Sequence, residues 1–94
     1  MTIYKYPLSV TGSQIIELPR GATILTAQVQ GEMLCLWAEI DENQEDTDER
    51  IIGVFGTGHP MGNTPRRYIN TTQADGGSLI WHVFELLTTP VQRA

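Results

Sequence analysis

The residues best suited to chemistry in this 94-residue chain lie together, in Gly53-Val54-Phe55-Gly56-Thr57-Gly58-His59-Pro60-Met61-Gly62-Asn63-Thr64-Pro65-Arg66-Arg67. Four glycines and two prolines fall within those fifteen residues. Glycine lets a backbone approach a ligand closely and present N–H groups to an anion, and arginine can grip a phosphate or carboxylate through two parallel hydrogen bonds. Gly56, Thr57, Gly58, His59, Arg66 and Arg67 are therefore the candidate ligand-binding residues. The ligand they suit is small and anionic, of the nucleotide kind. The spacing matches neither the phosphate loop that ends in Gly-Lys-Ser/Thr nor the dinucleotide fingerprint, and no helix is expected after it, so those mechanisms do not transfer. The competing reading is a long β-connection whose glycines and prolines shape turns and whose arginines are solvated.

Other residues with chemical potential are isolated. His59 has no acid close in sequence to act with, and His82 sits in the apolar run Leu79–Leu86, where a hydrogen-bonded structural histidine is expected. A metal site would have to recruit His59, His82 and Cys35 from three distant segments without paired-ligand spacing, so no metal ligands are assigned. Cys35, between Met33, Leu34, Leu36 and Trp37, reads as a small buried hydrophobe rather than a nucleophile, which needs an electropositive and accessible setting. The acids near residue 45 lack calcium-loop spacing and its central glycine. With no nucleophile–base pair, carboxylate pair or ligand set, no catalytic residue and no cofactor is assigned, and a non-enzymatic role is expected.

Charge is unevenly distributed. The net value of −5 conceals a cluster, Glu39, Asp41, Glu42, Glu45, Asp46, Asp48 and Glu49, that holds seven of the eleven acids. The remainder carries six bases against four acids, a balance of +2. Arg66, Arg67 and their neighbours make too small a basic face for a duplex nucleic acid, whose binding requires several neutralised phosphates. A single cysteine cannot form an intramolecular disulfide, which favours a cytoplasmic setting. No apolar segment approaches a signal peptide or a membrane span, so no membrane association is expected.

Positioning these residues falls to strands. Polar and apolar residues alternate in short runs broken by turn residues, the pattern of an all-β domain, a small antiparallel sandwich or barrel of about seven strands. The expected strands are Ile3–Leu8, Gln14–Leu18, Ala22–Gln30, Glu32–Asp41, Arg50–Gly56, Arg66–Gln73 and Ser78–Leu87. Helical spacing of Leu79, Val83 and Leu86 competes in the last of these, but β-branched and aromatic residues behind a hairpin signal at Ala74-Asp75-Gly76-Gly77 favour a strand. Glu42–Glu49 contains no apolar residue and is expected to be a solvated, mobile loop. One domain is expected over 1–87, with 88–94 a C-terminal tail. The fourth and last strands are apolar on both faces, more than a lone two-layer sandwich covers, so a second copy of the chain is expected against them, with Trp37 and Trp81 as interface anchors.

At Leu34-Cys35-Leu36-Trp37-Ala38, Gly56-Thr57-Gly58-His59-Pro60 and Trp81-His82-Val83-Phe84-Glu85 the chain resembles a family of small proteins of tailed bacteriophages, known only as a domain of unknown function. The likeness runs from Ile3-Tyr4-Lys5-Tyr6 through Glu85. It implies the cytoplasm of a bacterial host cell and an accessory role, and it brings no catalytic residues. Such a protein would act by occupying something. A small anionic nucleotide-like ligand, of the kind a host defence makes as a signal, is the first expectation; a host protein blocked by the acidic loop is the second, and a minor virion or assembly component the third.

Overall fold

The computed structural model describes residues 1–10 and 12–87. The expected tail, 88–94, lies outside the described residues. Seven strands form in chain order: β1 Thr2–Pro7, β2 Ser13–Pro19, β3 Thr23–Gln30, β4 Met33–Ile40, β5 Thr47–Gly56, β6 Arg66–Ala74 and β7 Leu79–Leu86. A single 3-10 turn, Asp75–Gly77, separates the last two, with Asp75, Gly76 and Gly77 all at positive φ as a tight hairpin requires. The all-β expectation holds, and Ser78–Leu87 is a strand.

The strands divide into two antiparallel sheets packed face to face, one ordered β1-β4-β3 and the other β2-β5-β7-β6. Alternation decides which side chains lie between them. From the first sheet come Leu34, Leu36, Ala38 and Ile40 of β4 with Ala27 of β3, all buried. From the second come Leu18 of β2, Ile52 and Val54 of β5 and Val83 of β7. Tyr6, Ile16, Ile24 and Trp81 close the margins of this core.

The outer faces are only partly covered. On β4, Cys35 is buried but Met33 is exposed and Trp37 is half-buried; on β7, Ile80, His82, Phe84 and Leu86 are half-buried. The expectation of two buried faces therefore holds for neither strand in full, because neighbouring side chains of the same sheet shield the outer residues only at their sides. Phe84 is flanked by Phe55 and Tyr68, with ring centroids 6.2 and 5.3 Å away. Gly53, opposite Phe84 in the ladder, is what admits this packing, since a Cβ there would lie 2.5 Å from the Phe55 ring.

Two points of the sequence reading are corrected. The acidic segment is shorter and better anchored than a mobile loop over 42–49, because Thr47, Asp48 and Glu49 pair with Pro19, Leu18 and Glu17 of β2. Arg20 holds the turn with its side chain at 3.4 Å from Asp46 and 3.3 Å from Asp48, while its N–H donates to the Asp46 carbonyl. Hydrogen bonds from the Met1 ammonium and the Thr2 hydroxyl draw the Glu42 carboxyl down to about 2. The second correction concerns Trp81, which turns inward against the core, whereas Trp37 faces outward from the other sheet. The two tryptophans do not share a surface.

No backbone ladder joins the sheets among the described residues, yet β3 and β6 lie edge to edge. Asn70 bridges them. Its carboxamide accepts from Ala27 N–H at 2.7 Å and donates to the Ala27 carbonyl at 2.6 Å, taking the place of a pairing peptide. Thr26 donates to the Asn70 oxygen at 3.2 Å, and Thr72 donates to Gln28 at 2.9 Å, extending the seam on either side. Asn70→Asp removes the donor and sets a carboxylate against a carbonyl, so it is expected to cost about 3 kcal/mol, against about 2 kcal/mol for Asn70→Ala. Urea unfolding of the two variants measures the order; an Asp variant as stable as the parent contradicts the bridge.

Candidate functional site

β5 and β6 both run antiparallel to β7, which lies between them, so they are parallel to one another. The glycine-rich connection 57–65 must therefore cross from one end of the sheet to the other. Gly56 pairs with Trp81, and Arg66 pairs with Leu86. Five residues of β7 separate those positions, roughly 16 Å at strand rise. Gly56, Thr57, Gly58 and His59 thus stay together, and Arg66 and Arg67 are removed to the opposite end. The six candidate ligand residues do not form one site.

At the Gly56 end the structure assembles a cleft. Val10, Val29, Leu79 and Trp81 line a cavity of about 470 Å³, with Glu32 and Asp75 also in its wall. Leu79 and Trp81 continue into a second hollow of about 220 Å³, where Gly56, Thr57, His59 and Ser78 complete the lining. The elements explain the opening. Turns after β3 and β6 bring Gly31 and Gly76 to the same end of the sandwich, and glycine gives them backbones without side chains to fill the space. Gly56 admits the His59 ring, since a Cβ there would stand 2.9 Å from its Nδ1 and Cε1. His59 N–H donates back to the Gly56 carbonyl at 3.1 Å, fixing the first turn of the connection. Asp75 accepts from the Ser78 hydroxyl at 2.8 Å, so its carboxylate is held in place.

Next to this cleft, on the outer face, His82 joins a chain of hydroxyls. Its Nε2 lies 2.7 Å from Thr57 Oγ1 and its Nδ1 3.0 Å from Thr71 Oγ1, which in turn meets the Tyr68 hydroxyl at 2.6 Å. Both ring nitrogens are engaged, as expected of a structural histidine, and the chain ties the start of the connection to β6 and β7.

The two arginines at the other end point to opposite faces because they are consecutive strand residues. Arg66 lies over the Phe84 ring at 5.6 Å and donates to the carbonyls of Gly62 and Thr64, so it secures the end of the connection. Arg67 turns to the inner side, 3.5 Å from Glu85. Glu85 is buried and paired chiefly with Arg50, which also donates to the Ala22 carbonyl at 2.9 Å. The hydrogen bonds that Arg50 donates to the Glu85 carboxylate push its guanidinium further up. Arg50 and Glu85 escaped notice in the sequence, although each alternates in phase with inward residues, Arg50 with Ile52 and Val54, Glu85 with Val83 and Trp81.

Among the described residues no group of three or more histidine, cysteine, aspartate or glutamate side chains is arranged to hold a metal ion, and no helix is long and apolar enough to cross a membrane. Glu85→Gln leaves the mostly buried Arg50 without its counter-charge, and a loss of about 3 kcal/mol in urea unfolding is expected. A loss below about 1 kcal/mol, the range of exposed ion pairs, contradicts the burial of this pair. In comparison with known proteins, no curated protein and no solved structure matches the chain. The profile of a family described as a domain of unknown function, DUF7352, matches residues 1–93, so the chain belongs to that family.

Proposed function

We propose that the protein is a non-enzymatic binding protein whose ligand, a small amino-substituted heterocycle of the nucleobase kind, sits against Trp81 at the Gly56 end of the sandwich. The observation that carries this reading is the cavity of about 470 Å³ with an indole in its wall and two carboxylates, Glu32 and Asp75, beside it. An indole face suits a planar ring, and a carboxylate accepts from an exocyclic amino group. Cavities of this size and apolar character are the usual places for small molecules.

The charge of the cleft alters the anionic expectation. Its lining holds Glu32, Asp75 and His59 but neither Arg66 nor Arg67, so it favours a base or nucleoside over the phosphorylated forms. Likeness to small proteins of tailed phages supports an accessory role in a bacterial host, withdrawing such a ligand from a cellular process. The alternative of a host protein blocked by the acidic segment has fewer free carboxylates to work with, since Glu42, Asp46 and Asp48 are already paired within the chain. A second copy of the chain would find its apolar surface on the outer face around Ile15 and Tyr68, both more than half exposed, rather than at Trp81.

Trp37→Phe leaves Trp81 as the sole indole, so its fluorescence reports the cleft. Titration with adenosine, guanosine, cytidine and their 5′-monophosphates is expected to give saturable quenching by at least one nucleoside, weaker for its monophosphate. Leu79→Arg, at a partly exposed position in the wall of both hollows, is expected to abolish the response with little change in melting temperature. No saturation by any of these ligands, or quenching that survives Leu79→Arg, contradicts the reading.

A further inference from the structure

The opposite end of the sandwich carries a separate cavity of about 210 Å³, walled by Thr23, Leu25, Arg50, Arg67, Ile69 and Glu85 among others. Two β-bulges open it. The β3–β4 register shifts between Ile24 and Thr26, and the β6–β7 register shifts between Tyr68 and Asn70. Leu25 and Ile69 are the extra residues, and both line the cavity. A bulge leaves a residue outside the ladder, so the backbone at these two positions has no register partner across the strand pair and lies in the cavity wall instead.

The charges in the cavity do not cancel. Arg50 and Arg67 face one carboxylate, Glu85, leaving an excess of +1 in a molecule whose net charge is −5. Arg50 spends its fork on Glu85 and the Ala22 carbonyl. Among the described residues Arg67 makes one ion pair, at 3.5 Å, and its side chain is 65% exposed. Glu85 thereby steadies the Arg67 guanidinium without occupying its remaining N–H groups. Thr23 lies in the same wall.

We propose that this cavity binds a phosphate-type oxyanion, either free phosphate or the terminal phosphate of a larger molecule. Arg67 and Ile69 of β6 and Thr23 and Leu25 of β3 line it from different elements, and donors offered from two sides suit a tetrahedral group with several acceptor oxygens better than a planar carboxylate. The buried Arg50–Glu85 pair forms a charged floor that keeps the arginine in register. The site is distinct from the Trp81 cleft and stands whether or not that cleft holds a heterocycle.

The test is calorimetric titration of the intact chain with inorganic phosphate, glycerol 3-phosphate and acetate at matched ionic strength, with amide shifts followed by NMR. Saturable binding of phosphate or its ester is expected, with the largest shifts at Leu25, Ile69 and Arg67 and no saturation by acetate. Phosphate binding without the ester identifies the free ion as the ligand class; binding of both identifies an accessible terminal phosphate. Arg67→Gln should weaken binding about tenfold, the worth of one charge-assisted hydrogen bond, while Arg66→Gln on the opposite face should leave it unchanged. Absence of saturable phosphate binding, equal losses in the two variants, or shifts centred elsewhere overturns the proposal. Because Arg67 is exposed, its variant is expected to keep the parent melting temperature, and the wild-type shift map decides the matter even if it does not.

Discussion

The Asn70–Ala27 bridge governs how the two sheets meet. A carboxamide presents one donor and one acceptor in nearly the geometry of a peptide group, so Asn70 can satisfy both backbone groups of Ala27 where β3 would otherwise show an open edge. A side chain reaches farther than a ladder does. The bulges just beside the bridge, at Leu25 and Ile69, accommodate the mismatch between the spacing of paired strands and that of strands joined through a side chain. Along the other margin, β1 and β2 remain edge strands, where Pro7 and Lys5 on β1 discourage further pairing.

Either side of that seam the sandwich opens, and the two ends differ in character. At one, the turns after β3 and β6 surround an indole with small residues and acids; at the other, the bulges surround a buried ion pair with a surplus arginine. The glycine-rich connection touches both ends, with His59 seated on Gly56 and Arg66 gripping the carbonyls of Gly62 and Thr64. Its glycines and prolines shape a crossing over the sheet, and only its first residues reach a cavity.

Much of the fold was legible because period-two alternation is a local property. The strands other than β5 began and ended within a residue or so of where alternation placed them. The start of β5 was not legible: Thr47, Asp48 and Glu49 carry no apolar signal, and they extend the strand because β2 and Arg20 lie alongside. The site was less legible for a similar reason. Arg66 and Arg67 are neighbours in sequence and therefore opposites in a strand, a consequence that alternation itself implies. That Gly56 and Arg66 stand at opposite ends follows only from β7 inserting between β5 and β6, and strand order leaves no local mark. Asn70 looked like an ordinary polar strand residue, since its worth lies in a partner 43 positions away.

Hydrogen exchange at the Ala27 amide tests the seam most directly. Ala27 faces no backbone partner in β6, yet with Asn70 accepting its N–H it should exchange as slowly as the amides at the centre of β4 around Leu36. Exchange at the rate of the open edge in β1 would mean that the two sheets are not joined there.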